Sequence, residues 1–248
     1  MNFSRVVISR APATFPVSRQ ARFQFRSSSL LSALPLGPRF SSTMAAATPS
    51  RRLQNPVIFV CDLQDKFRNA IWQFDKILLA SQKVLRAAKI LSIPIVATTQ
   101  NAQKLGPIVA ELQPLLKDAA VVADKTLFSM LAPAVTEHTL FSSGGAKREV
   151  VIVGIESHIC VTQTALDLLA RGHRVYVLAD GVSSCNEHEV PIALARLRAE
   201  GVVVTTSESW LYEVMGDAAI PEFRDMAKLV KETSQDTKTA LAALLSKM

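Results

Sequence analysis

The sequence predicts an α/β fold in which helices cover both faces of a parallel sheet, and three observations carry that prediction. Short apolar runs of strand length alternate with amphipathic segments of helical period from residue 57 to residue 232. The runs lack polar alternation, as strands buried on both faces do. Three of them stop at residues able to do chemistry: residues 57–61 at Asp62, residues 119–124 at Lys125, and residues 150–155 shortly before Cys160. Parallel strands would bring an acid, an amine and a thiol to one edge. In open α/β sheets, ligands bind outside the carboxyl ends of the strands.

Residues 57–61 form the first strand. Ile77, Val84, Ala88 and Leu91 then recur at i, i+7, i+11 and i+14 on one helical stripe, ahead of a second strand at 93–97. A helical stretch is expected around 108–116, then a third strand ending at Lys125, a further segment around 130–140, and a fourth strand at 150–155. Residues 158–170 read as a helix closed by Arg171-Gly172, since Gly is favoured just past a helix end. A fifth strand at 175–179, a helix at 189–200 ended by Gly201, and a sixth strand at 202–206 follow. Residues 208–215 and 221–232 close the fold as helices, 142–147 is a surface loop, and 233–248 is a weakly specified tail. The folded domain is therefore placed at 51–232, with no internal repeat.

A chain of 248 residues with 49% hydrophobic and 20% charged side chains suits one sizeable domain plus an appendage. Its apolar runs fall far short of the roughly 20 residues a spanning helix needs, so no transmembrane segment is expected. The net charge of +7 is concentrated in residues 1–50, which hold six arginines and no Asp, Glu or Lys. The remainder is near neutral, which argues against nucleic acid as a partner of the folded part. The leader is rich in Arg and Ser, and Phe3, Val6, Val7 and Ile8 lie beside basic residues, the composition of a mitochondrial transit peptide. The expected location is the mitochondrial matrix, with a cytosolic form open if translation starts at Met44.

Cys61, Cys160 and Cys185 form no C-x-x-C pair and no metal-finger spacing, so a reducing compartment is expected. Cys61, within a strand, and Cys185, in a polar stretch, read as structural or incidental. Cys160 lies at the predicted start of a helix, where unpaired backbone N–H groups favour a thiolate. Asp62 within reach would take the thiol proton and return it to a leaving amine. Lys125 would keep Asp62 ionised, and backbone N–H groups of Glu156 and Cys160 would hold an oxyanion. Taken singly, each residue has a plainer reading: Asp as a helix cap, Lys as a solvated surface residue, Cys as a small buried apolar group.

Residues 59–64 (Phe-Val-Cys-Asp-Leu-Gln), 124–129 (Asp-Lys-Thr-Leu-Phe-Ser) and 154–165 (Gly-Ile-Glu-Ser-His-Ile-Cys-Val-Thr-Gln-Thr-Ala) resemble, in order, the three segments that mark the isochorismatase-like cysteine hydrolase superfamily. The resemblance runs from about residue 56 to about residue 231 and is nearest to the eukaryotic isochorismatase domain-containing proteins. It implies a three-layer α/β/α fold with a six-stranded parallel sheet, a catalytic triad of Asp62, Lys125 and Cys160, and a homodimer or homotetramer. It also implies a cis peptide between Ile155 and Glu156 that aims the Glu156 N–H at the oxyanion. Gln64 and Phe67, which follow the acid, are candidate pocket residues, Phe67 equally a core residue. His158 is read as a surface residue, because Asp62 already supplies the base.

Departures from the superfamily narrow the function. Nicotinamidases carry a D-x-H metal cluster after the second strand, where this chain reads Thr98-Thr99-Gln100-Asn101-Ala102-Gln103. No metal and no cofactor are therefore expected, and no G-x-G-x-x-G or Walker loop supports nucleotide binding. True isochorismatases cleave a vinyl ether and generally lack the cysteine, so Cys160 favours hydrolysis of a small-molecule amide or related C–N bond through a thioester. Vinyl-ether hydrolysis and a catalytically silent interaction scaffold stay open as alternatives.

Overall fold

The computed structural model describes residues 51–141 and 145–245; the leader and its expected targeting role lie outside the described residues. Six strands form one all-parallel sheet: β1 (Pro56–Cys61), β2 (Ile95–Gln100), β3 (Val121–Lys125), β4 (Glu149–Ile155), β5 (Arg174–Ser183) and β6 (Val203–Thr205). Their spatial order is β3-β2-β1-β4-β5-β6. The chain builds outward from β1 through β2 to β3, then returns beside β1 with β4 and builds outward the other way. The order thus reverses between β1 and β4, and their carboxyl ends open the crevice that such a reversal creates.

β1 shows why uninterrupted apolar runs become inner strands. Its side chains alternate between the two faces. Ile58 and Val60 join one buried cluster, while Val57, Phe59 and Cys61 join the other. The first cluster is closed by α1 (Phe74–Leu91), α6 (Ser207–Met215), α7 (Phe223–Glu232) and α8 (Ser234–Leu245), through residues such as Leu78, Trp210, Met226 and Leu244. The second is closed largely by α4 (Thr162–Ala170) and α5 (Glu189–Ala199), through Ala165, Leu168, Leu194 and Leu197. Helix, sheet and helix make the expected three layers. Among the described residues no helix is long and apolar enough to cross a membrane.

Two expectations are corrected. Residues 108–116 do not form a helix; the stretch holds only a tight turn at Gln113–Leu115, after the one-turn α2 (Ala102–Leu105). Gly106 and Pro107 precede it and Pro114 falls within it, and Val109 N–H instead donates to the Leu63 carbonyl at 3.0 Å beside a Gln64–Ile108 bridge. The segment expected around 130–140 holds α3 (Pro133–Thr136), with Pro133 at the start of the helix, where proline is accepted. The tail expected at 233–248 is helix α8 over Ser234–Leu245.

That helix is integral to the domain. Ala240 and Leu244 are buried in the main core, and Thr237 accepts a 3.0 Å hydrogen bond from Lys83, a buried lysine of α1 that also meets Glu208 at 3.3 Å. The sequence pattern hides this: the apolar residues of the helix run together at 240–245 instead of recurring as a stripe of helical period. Leu244→Ala is expected to cost about 2 kcal/mol or more in denaturant unfolding, as for other buried leucines, and a change near zero would show that α8 only lies on the surface.

Candidate active site

Cys61, the last residue of β1, is paired with Thr98 of β2 on one side and Gly154 of β4 on the other. The next residue, Asp62, sits at φ 51°, a left-handed conformation that Asp accepts more readily than most residues but that still costs about 1–3 kcal/mol. Its carboxylate is buried and densely held. Oδ1 accepts from Thr98 Oγ1 at 2.8 Å, and Oδ2 accepts from Lys125 Nζ at 2.8 Å and from the Cys61 thiol at 3.7 Å.

Lys125 reaches Asp62 from β3, two strands away, because β2 runs on to Gln100 and pairs there with Lys125. Its side chain is fully buried. The ammonium also donates to Gln100 Oε1 at 2.7 Å and to the carbonyls of Leu127 and Phe128 at 3.0 and 3.2 Å. A buried ammonium without such partners would be untenable. Here the amine is locked, and its fixed charge faces Asp62.

Cys160 comes from the turn between β4 and α4. The Glu156 carbonyl accepts from both Ile159 N–H (3.0 Å) and Val161 N–H (3.1 Å), which widens the turn Ser157–Val161 relative to an ordinary helix. Such widened turns are frequent at functional sites. Thr162 Oγ1 donates to the Ser157 carbonyl and Thr164 Oγ1 to the Cys160 carbonyl, each at 2.6 Å, so two threonine hydroxyls brace the loop that carries the thiol. The Ile155–Glu156 peptide is cis.

Asp62, Lys125 and Cys160 therefore come together as the sequence expects. The Cys61 thiol, an Asp62 carboxylate oxygen and the Cys160 thiol all lie within 4.8 Å of one another. Burial pushes the Cys61 thiol well above its ordinary range, helped by its hydrogen bond with Cys160 and the Asp62 charge and opposed by Lys125. Cys61 is consequently a neutral thiol at physiological pH. A carboxylate offers about four lone-pair sites. Thr98, Lys125 and Cys61 use three of those on Asp62, which leaves capacity for one more proton donor.

The remaining expected residues fall around this cluster. Gln64 is fully buried, but its amide is committed to backbone: Nε2 donates to the Gln100 and Gly106 carbonyls at 3.2 and 2.7 Å, and Oε1 accepts from Gln100 N–H at 2.6 Å. Phe67 packs half-buried against the core. His158 is half-buried with Nδ1 2.9 Å from Ser184 Oγ, and the Glu156 carboxylate accepts from Cys185 N–H at 2.8 Å. Thr98, Gln100 and Cys61 were not singled out as site residues by the sequence. The signal for the first two was there: polar side chains at the carboxyl end of an otherwise apolar strand.

Nearby, the Asp124 carboxylate lies below its ordinary range because it accepts from the Thr99 hydroxyl and then from Ala102 N–H, which ties β3 to the start of α2.

Comparison with known proteins gives consistent matches. The isochorismatase domain family matches residues 56–209. A secreted isochorismatase effector, Isc1, from Phytophthora sojae is 41% identical over 178 residues, covering 71% of this chain and 84% of that protein. Human isochorismatase domain-containing protein 2 is 39% identical over 197 residues, covering 78% of this chain and 93% of that one. Among solved structures, the MAR1 ribonuclease from Caenorhabditis elegans superposes with a TM-score of 0.66 at 40% identity, covering 71% of this chain and 90% of the other.

Proposed function

This chain belongs to the isochorismatase domain family, and from that premise we propose that it hydrolyses a small-molecule amide or related C–N bond through a thioester on Cys160. The observation that carries the proposal is the buried Asp62–Lys125 pair, 2.8 Å apart, with the Cys160 thiol within 4.8 Å of the Asp62 carboxylate at the point where the strand order reverses.

Asp62 takes the proton of the Cys160 thiol through its unused lone pair, and the sulfur attacks the substrate carbonyl carbon. The C–S bond forms as the carbonyl π pair moves to oxygen. Backbone N–H groups of Glu156 and Cys160 receive that oxyanion. As the tetrahedral centre collapses, the C–N bond breaks and Asp62 gives its proton to the departing amine. Water then attacks the thioester with Asp62 as base, and Cys160 leaves with its proton restored. Lys125 holds the Asp62 carboxylate in position between these steps without itself meeting substrate.

The C. elegans relative bears the name of a ribonuclease. Phosphodiester cleavage calls for cations turned toward the phosphate, whereas Lys125 spends its donors on Asp62, Gln100 and two carbonyls. That favours the C–N reading. Val122 on the edge strand β3, with Leu127 and Phe128 just beyond it, are large exposed apolar side chains and support assembly into a homo-oligomer.

The test is acid-quench mass spectrometry of the full chain against a panel of small amides, isochorismate and RNA, alongside alkylation by iodoacetamide at neutral pH. The expected result is an acyl adduct on the Cys160 peptide, loss of turnover in Cys160→Ala, and alkylation of Cys160 in the wild type. Turnover of isochorismate or RNA that persists in Cys160→Ala would refute the thioester route. An inert, unalkylated Cys160 would point to the silent scaffold.

A further inference from the structure

Parallel pairing places a second group of chemically active side chains beside the thiol. β4 and β5 are in register at Ile155↔Ser183, so the residues just past each strand meet on the carboxyl edge. Glu156 and His158 arrive from the β4 side and Ser184 and Cys185 from the β5 side. A carboxylate oxygen of Glu156, a ring nitrogen of His158 and the Cys185 thiol lie within 4.8 Å of one another. Two cross-links hold the loops in this arrangement: Cys185 N–H to Glu156 Oε2 at 2.8 Å and Ser184 Oγ to His158 Nδ1 at 2.9 Å.

We propose that Glu156, His158 and Cys185 form a binding site for a divalent transition metal, zinc by the chemistry of the donors. Thiolate, imidazole and carboxylate together are a donor set that zinc favours, and three protein ligands with one open position is the arrangement of a site that keeps a place for water or a substrate atom. Tetrahedral bonds of about 2.0–2.3 Å space the donors roughly 3.3–3.8 Å apart, so small side-chain rotations close the cluster around an ion. The Ser184 contact anchors the imidazole as outer partners of metal-bound histidines do, and the backbone bond to Glu156 anchors the carboxylate. Cys185 is exposed, so an ion has an entry path.

The site is separate from any D-x-H cluster after β2, where this chain has no such residues. It also differs in its ligands from the Cys61, Asp62 and Cys160 group. The inference does not depend on the proposed hydrolysis, because it concerns equilibrium binding alone.

Cobalt(II) is the probe, since a thiolate ligand gives it a near-ultraviolet charge-transfer band and tetrahedral geometry gives intense visible absorption. The full chain is stripped with chelator and titrated with cobalt, then zinc is added to displace it. The expected result is a single cobalt per chain with both absorptions, displaced by zinc. Cys185→Ser should abolish the charge-transfer band, His158→Gln should weaken binding by roughly tenfold or more, and Cys160→Ser should leave both absorptions intact. Circular dichroism verifies that each variant is folded. Failure to bind cobalt, retention of the band in Cys185→Ser, or its loss in Cys160→Ser overturns the proposal, the last by placing the ion on the nucleophile's cluster.

Discussion

Lys125→Met is expected to cost about 3–5 kcal/mol of stability, because it leaves the Asp62 carboxylate buried and without its counter-charge. Both side chains are sealed from solvent, with relative exposures of 0% for Lys125 and 2% for Asp62. The same substitution frees Gln100 Oε1 and the Leu127 and Phe128 carbonyls of their shared donor, so the loop after β3 loosens as well. Hydrolysis should be lost with it. The stability effect can be assigned to the pair by adding Asp62→Asn. Replacing both charges by neutral groups of similar size removes the stranded carboxylate, so the double variant should be more stable than Lys125→Met alone while remaining inactive. Denaturant unfolding of wild type, both single variants and the double variant reads this directly. A Lys125→Met protein within about 1 kcal/mol of wild type would mean that the pair is solvated and the site open to water.

Gly154→Ala is the second large effect. A β-carbon at this position would lie 2.1 Å from the Cys61 carbonyl oxygen and 2.8 Å from its carbonyl carbon and nitrogen, and the residue sits at φ 117°. The contact is between the backbones of the two central strands, at the pairing Cys61↔Gly154, so no side chain can move aside to relieve it. Loss of more than about 4 kcal/mol is expected, in the range that marks gross steric failure, with little soluble protein recovered. Gly201→Ala separates collision from backbone preference. That glycine is at φ 97°, and a β-carbon added there would meet nothing within 4 Å, so only conformational strain of about 1–3 kcal/mol should appear. Similar stabilities for the two variants would show that β1 and β4 do not approach so closely beneath the thiol.

Both effects come from the same construction. The strands next to the reversal point carry the acid and the thiol, and the glycine at their junction lets the two backbones meet closely enough for Cys61, Asp62 and Cys160 to share one small volume. The amine comes from further away. It reaches the acid only because β2 extends to Gln100, which aligns β3 so that Lys125 ends beside Asp62.

The strands and the three site residues were legible in the sequence because burial on two faces writes itself as uninterrupted apolar runs, and a polar residue ending such a run stands out. The parallel sheet of six strands and the convergence of positions 62, 125 and 160 follow from that pattern together with the three family-like segments. Other features are not written locally. Helix α8 carries its apolar residues as one run at 240–245 without a stripe of helical period and joins the core by packing against α1, while residues 108–116 were expected to be helical but are drawn out to pair with the chain after β1. Likewise Thr98 and Gln100 become partners of Asp62 and Lys125 only once strand order and register are set, and Cys185 approaches Glu156 and His158 for the same reason. Periodicity along the chain reports which face of an element is buried; which residues meet across elements depends on pairings distant in sequence, and only the folded sheet decides those.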